Sequence, residues 1–299
     1  MTLNANTTLI MKDKLILGTV QMGLNYGINN NSGKISFENS CAILLKAFEL
    51  GIETLDTAEA YGDAHKIIGD FHKLNPIKKF KIITKIPHGF NLDNIEIKVE
   101  QYLKDLEIET IDVLMFHSYE TYLENNKNID KFERLINKGF IKSIGVSVYT
   151  NEQIESLLAD KIITVVQLPF NMLDNINKRG KIIEKLKLSG KEVHTRSAFL
   201  QGLFFKETND LSSFFYPLKV DLEKLKKLSE KYNVSISKMA LAYSLNQNNI
   251  DQVLIGIDSK KQLEDNFLAF QYQLDAKLIS EINTINIVNN ELLNPALWK

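Results

Sequence analysis

One cysteine occurs in 299 residues. Cys41 therefore has no internal disulfide partner, and its place in the apolar run "CAILLKAFEL" reads as a buried helix thiol. No run of about 18 apolar residues is present, so no membrane-spanning helix is expected. The charges nearly cancel, 36 Lys and Arg against 37 Asp and Glu. With no basic stripe interleaved with aromatics, neither nucleic acid nor an anionic membrane is an expected partner. The opening "MTLNANTTLIMKDK" lacks the basic n-region and long apolar h-region of a signal peptide, which gives a cytoplasmic location. The histidines, His65, His72, His88, His117 and His194, form no H-x-x-x-H or H-x-H pair, so no metal is expected. No Pro/Ser-rich linker interrupts the chain, and residues 1–299 read as one domain.

What is present is an alternation. Short β-branched runs ("LILGTV", "ETLDTA", "FKIITKI", "IDVLMF", "SIGVSV", "TVVQLPF", "EVHTRSA", "QVLIGI") are separated by amphipathic stretches such as "FENSCAILLKAFEL" and "NIEIKVEQYLKDL". Strands alternating with helices imply parallel βα units, and continuously apolar strands imply a sheet covered on both faces. About eight such strands in a chain of this length fit an α/β (β/α)8 TIM barrel. A doubly wound sheet would carry a Gly-rich phosphate turn after its first strand. Here "QMGLNYGINNNSG" has no G-x-G-x-x-G spacing.

The active end of such a barrel is the C-terminal end of its strands. Polar residues recur there: Asp56 after the second strand with Tyr61 beyond it, Lys85 after the third, and His117 after the fourth. Ser147 ends the fifth, Gln167 and Asn171 flank the end of the sixth, Arg196 ends the seventh and Gly256 the eighth. Singly, each is an ordinary strand end, and Thr150 or Asn151 is an alternative to Ser147 as the next helix cap. Together they make a chemical set. A phenol is a poor acid near neutral pH, and a nearby ammonium lowers its pKa. A buried ammonium needs a carboxylate to keep its charge. Asp56, Lys85 and Tyr61 meet those needs, and a neutral His117 can orient a substrate carbonyl. The set supplies no electrons, so a reduction needs an added hydride donor.

"GIETLDTAEAYG", "ITKI", "VLMFHS" and "GFIKSIGVSVYT", in that order from "LILGT" to "GIDSKKQLEDNF", resemble the aldo-keto reductases over nearly the whole chain. The resemblance implies a barrel that binds a nicotinamide cofactor, usually NADPH, with NADH possible. It implies a tetrad of Asp56, Tyr61, Lys85 and His117, with Tyr61 as general acid. It places Gly18, Thr19 and Asp56 near the cofactor, Ser147 and Gln167 on the nicotinamide carboxamide, and Gly256, Lys260, Lys261, Gln262 and Asn266 at the adenosine end. Several positions depart from the pattern. Val148 replaces a frequent asparagine, and Arg196 stands where many members stack a tyrosine on the nicotinamide. Gly256 replaces a frequent lysine, and Gln262 a frequent arginine that contacts the 2′-phosphate. Lys260 and Lys261 are the expected substitutes for that arginine.

The reading is therefore a reductase of a small-molecule carbonyl substrate. Two others stay open at this stage: a lyase or aldolase using Lys85 as a Schiff-base amine, and a cofactor-binding regulatory protein with little turnover. The loop 199–219 and the tail 288–299 are the expected pocket walls. Tyr26, His117, Tyr119 and Phe204 are expected at the substrate, with Phe205 as a further aromatic. Asn25, Asn29 and Asn30 suit a hydroxylated, sugar-derived aldehyde. A monomer is favoured over an oligomer.

Overall fold

The structure, a computed structural model, describes residues 14–298 apart from residues 29, 31, 32 and 127. Residues 1–13, on which the targeting reading rests, lie outside the described residues, as do Asn29 and Lys299.

The apolar runs form strands β1 (Leu15–Gly18), β2 (Thr54–Asp56), β3 (Lys81–Ile86), β4 (Ile111–Phe116), β5 (Ile141–Ser147), β6 (Ile163–Pro169), β7 (Glu192–Arg196) and β8 (Gln252–Gly256). They pair in parallel, in sequence order, and β8 closes on β1. Helices cover the outside, among them Phe37–Glu49, Ala64–Leu74, Ile95–Leu106, Asn151–Leu157, Ile176–Leu188 and Ile236–Leu245. The expected (β/α)8 barrel is the observed one.

Local chemistry sets the boundaries. Ser36 accepts from the Asn39 amide to cap the first long helix, and Gly51, at φ 79°, turns the chain back toward β2. Thr150, one of the two expected cap residues, closes a capping box with Gln153. Inside the barrel, Ile16, Ile83, Val113, Met115 and Val165 form a small apolar cluster distinct from the core between strands and helices. That plug gives the site above it a dry floor.

The register then aligns the polar strand ends. Gly18 pairs with both Asp56 and Gly256, and Ser147 pairs with Gln167. Among the described residues, no helix is long and apolar enough to cross a membrane.

Candidate active site

Asp56 is almost fully buried at the end of β2. One of its carboxylate oxygens, Oδ1, accepts a short hydrogen bond from Lys85 Nζ on β3. The other, Oδ2, accepts from Gln167 Nε2 on β6 at 2.9 Å. Thr19 is tied to the same residue, since both its amide and its hydroxyl donate to the Asp56 carbonyl at 3.0 Å. Lys85 uses a second donor on the Thr57 carbonyl at 3.0 Å, and its third reaches Tyr61 Oη at 3.5 Å. Carboxylate, ammonium and phenol thus form one chain. Burial pulls the Lys85 ammonium below the usual lysine range, while Asp56 pulls it back up.

Tyr61 corrects one expectation. The buried setting and the Asp56 charge hold its phenol above the ordinary range, so Lys85 does not make it a stronger acid at rest. The Asp56 carboxylate neutralises the ammonium beside it, and Arg196 is the group whose charge lowers the phenol's pKa. The consequence is a phenol that keeps its proton throughout the neutral range.

His117 stands edge-on to the Tyr61 ring, centroids 5.9 Å apart. Its other side lies near-parallel to His88 at 6.1 Å. Burial, helped by the Lys85 charge, lowers its pKa to about 4, so it is a neutral imidazole at pH 7.

The position of Tyr61 is set by backbone packing. A Cβ on Gly23 would lie 1.6 Å from the Tyr61 carbonyl oxygen, and one on Gly62 would lie 2.6 Å from the Gly23 oxygen. The turn carrying Tyr61 is pressed onto the short helix Val20–Gly23 with no room for a side chain between them. Farther out, Glu59 of the same turn accepts from Tyr102 and, at 2.9 Å, from Lys98.

These groups open onto a cavity of about 490 Å³. Gly18, Thr19, Tyr26, Asp56, Tyr61, Lys85, His117, Ser147, Gln167, Arg196, Gly256 and Gln262 line it, so most of the expected site residues converge. Phe199, Gln201, Phe205 and Pro295 bring the expected walls into contact with it. Tyr119 and Phe204 do not line it, which corrects two substrate expectations. Tyr119 starts the helix capped by Ser118, and its hydroxyl meets Ser156 at 2.7 Å. Phe204 is buried in the core, because left-handed residues Leu200, Gln201 and Gly202 twist the chain so that Phe205 faces the cavity instead. Asn30 lines the cavity, but its amide holds its own turn through Tyr26 O and Gly33 O. Asn25 is not among the lining residues.

Arg196 has no ion pair with Glu207 or Asp210 among the described residues; Glu207 pairs with Lys226. Its guanidinium carbon lies 4.1 Å from the centroid of the Tyr149 ring, and Nη2 donates to the Val148 carbonyl at 3.1 Å. Tyr149, also on the cavity wall, was not singled out in the sequence; nor were Gln21, Gln201 and Asp258.

At the far end of the cavity, the Gln262 side chain is turned to the chain itself: its Oε1 accepts from the Asp258 amide at 2.6 Å, while the Gln262 backbone amide donates to the Ser259 cap. Lys261 pairs with Asp265 at 2.7 Å. Lys260, Lys261 and Asn266 lie outside the cavity lining. The buried polar atoms without a partner among the described residues include Asn266 Nδ2 and Gln21 Oε1. An orphan of this kind costs about 1–3 kcal/mol. Gln21 is in the cavity wall, and Asn266 sits on the helix behind its strand-8 rim. An orphaned Gln21 amide oxygen in the cavity wall, beside a Gly256 on which a Cβ would lie 2.5 Å from the Gln21 side chain, fits a polar ligand such as a dinucleotide lying close to the backbone.

A proton chain at the mouth of a closed parallel barrel defines a barrel enzyme. The family model of the aldo/keto reductase family matches residues 14–287. The chain belongs to that family, and it is an oxidoreductase that reduces carbonyl compounds with a nicotinamide cofactor. It is 24% identical to L-galactose dehydrogenase from Arabidopsis thaliana, over 85% of this chain and 86% of that one. It is 22% identical to L-glyceraldehyde 3-phosphate reductase from Escherichia coli (strain K12), over 92% and 91%. The solved structure of a glycerol dehydrogenase from Gluconobacter oxydans shares the fold with a TM-score of 0.73, at 21% identity, over 91% of this chain and 90% of that one.

Proposed function

We propose that Tyr61 is the general acid of this reductase, and that Asp56, Lys85 and His117 hold it and the substrate in place. The observation that carries this reading is the unbroken chain from Asp56 through Lys85 to Tyr61 Oη on the cavity wall. Ser147, Gln167 through its Oε1, and Arg196 would hold the nicotinamide end of the cofactor. The segment from Gly256 to Asn266 would hold the adenosine end, and the bound reduced cofactor supplies the hydride.

The chain's own residues handle the proton. His117, neutral, donates to the substrate carbonyl oxygen and orients it toward Tyr61. Charge develops on that oxygen as the carbonyl is reduced, and an alkoxide is a stronger base than a phenolate. The Tyr61 proton therefore moves to it despite the phenol's raised pKa. The phenolate left behind faces the Lys85 ammonium at 3.5 Å and the field of Arg196. This arrangement stabilises charge only when charge appears. A Schiff-base role for Lys85 fits less well, because Asp56, Thr57 and Tyr61 already engage its three donors.

The substrate class we infer is a hydroxylated aldehyde, sugar-derived. Tyr26 Oη and Gln201 Nε2, 2.8 Å apart across the cavity rim, supply hydroxyl-binding groups in place of the asparagines. The two relatives are named for L-galactose and L-glyceraldehyde 3-phosphate, both hydroxylated carbonyl compounds. A cytoplasmic monomer is the setting we propose. The test is aldehyde-dependent oxidation of NADH and NADPH across a panel of aldoses and simple aldehydes. Tyr61→Phe should lower kcat by about 10² to 10⁴ while dinucleotide binding persists. Near-full turnover in that variant removes Tyr61 from the role.

A further inference from the structure

We infer that Asp258 makes this site select NADH over NADPH. The inference rests on the nicotinamide reading above and adds to it a choice made at the ribose end. It reverses the preference for the phosphorylated cofactor expected from Lys260 and Lys261.

Asp258 lies two residues beyond Gly256 and lines the same cavity as Gly256 and Gln262. Its place is fixed from both sides of the turn. The Gln262 side chain accepts from its amide, and Ser259 caps the helix that follows. Its carboxylate has no ion pair among the described residues; the residue is exposed at the cavity rim, and partial desolvation raises its pKa with no cation opposing the shift. The cations that would favour a 2′-phosphate are elsewhere. Lys261 is four-fifths exposed and paired with Asp265 one turn along the helix. Lys260 lies outside the cavity lining that includes Asp258. The Gln262 amide, at the position of the family's frequent arginine, carries no charge and already holds the Asp258 turn.

A carboxylate at a ribose accepts hydrogen bonds from its hydroxyls. Toward a 2′-phosphate the same group is a like charge with no counter-ion to share. This is the chemistry by which an acidic residue marks an NAD site and an arginine an NADP site in dinucleotide folds generally. Repulsion of the wrong partner, and not only attraction of the right one, gives the discrimination.

The test is fluorescence titration of the purified full chain with NADH and with NADPH, without substrate. Wild type should bind NADH at least tenfold more tightly. Asp258→Ser, a change at an exposed position, should cut that ratio tenfold or more, mainly by tightening NADPH. Lys260→Ala should leave the ratio within twofold. Tighter binding of NADPH by wild type overturns the inference, as does a ratio that Asp258→Ser leaves unchanged. A selective tenfold loss of NADPH in Lys260→Ala also overturns it, since Lys260 would then be the phosphate ligand. Wild type binding neither dinucleotide overturns the nicotinamide reading itself, and this inference with it.

Discussion

Replacing Gly23 with alanine adds one methyl group, and the structure says where it must go. The new Cβ would lie 1.6 Å from the Tyr61 carbonyl oxygen and 2.8 Å from both the Tyr61 carbonyl carbon and the Ala64 amide nitrogen. All three neighbours are backbone, so no side chain can swing aside. Restoring van der Waals contact requires the Tyr61 backbone to retreat by about 2 Å. Overpacking of this kind costs about 1–3 kcal/mol. The effect on catalysis is larger, because Tyr61 Oη stands only 3.5 Å from Lys85 Nζ and moves with its backbone. A displacement of about 1 Å at a reacting group costs on the order of 10²-fold in rate. Gly23→Ala should therefore remain folded in urea melts while losing at least that factor in kcat. Gly180→Ala is the control. It sits in the helix Ile176–Leu188, where its Cβ would meet only the Ile176 side chain at 3.2 and 3.3 Å. That change should stabilise by up to about 1 kcal/mol and leave turnover alone. Wild-type kcat in a folded Gly23→Ala protein would refute the claim that this contact positions Tyr61.

Lys85→Met strands a buried carboxylate and should cost about 3–5 kcal/mol. Adding Asp56→Asn should recover part of that loss, and strict additivity of the two changes in denaturant melts would contradict the pair. Arg196→Leu should tighten the oxidised dinucleotide relative to the reduced one, because a cation beside the nicotinamide opposes its positive form. Arg196→Lys should impair binding or turnover, since an ammonium cannot at once sit over the Tyr149 ring and donate to the Val148 carbonyl as the guanidinium fork does; wild-type behaviour of both variants in titrations removes the planar role. His65, buried against Thr84, has its pKa lowered from 6.5 to about 4. The unfolded chain takes up this proton first as pH falls, so stability should drop between pH 6.5 and 4, by roughly 3 kcal/mol from this residue. His65→Gln should show a correspondingly shallower loss between pH 7 and 4.5, and an unchanged slope would exclude His65 as its source.

The barrel, and the gathering of Asp56, Tyr61, Lys85 and His117 at its mouth, were legible in the sequence because both leave local signals. An apolar β-branched run gives a strand, and the polar residue ending it gives a position at the mouth. Thr150 as a cap followed from the same kind of reading. What the sequence did not disclose depends on contacts between distant segments. Gln167 and Asp56 are 111 residues apart, and nothing local announces that the glutamine amide belongs to the carboxylate. The Arg196–Tyr149 stack and the Gly23–Tyr61 contact have the same origin. The choice between Phe204 and Phe205 was set by three consecutive left-handed residues, Leu200, Gln201 and Gly202, of which only the glycine favours that conformation intrinsically. The sign of the Tyr61 shift is not a local signal either: burial and the Asp56 charge, both set by the fold, raise the phenol's pKa against the field of Arg196.

The hydrogen bond from Gln167 to Asp56 joins strands that are not neighbours in the ring. It is a chord across the mouth from β6 to β2, and Lys85 ties the Asp56 end of that chord to β3. For those strand ends to splay apart, a buried carboxylate must first lose its partners, at a cost of about 3–5 kcal/mol. The mouth is therefore of fixed bore where the chemistry occurs. Entry and exit of a ligand fall to the rim, where two loops are joined by the exposed Tyr26–Gln201 side-chain bond and by a backbone bond from the Ile28 amide to the Gln201 carbonyl at 3.3 Å. Turnover and rigidity are thus assigned to different parts of the same opening, and loop changes at the rim can alter the pace of exchange without touching the geometry of proton transfer.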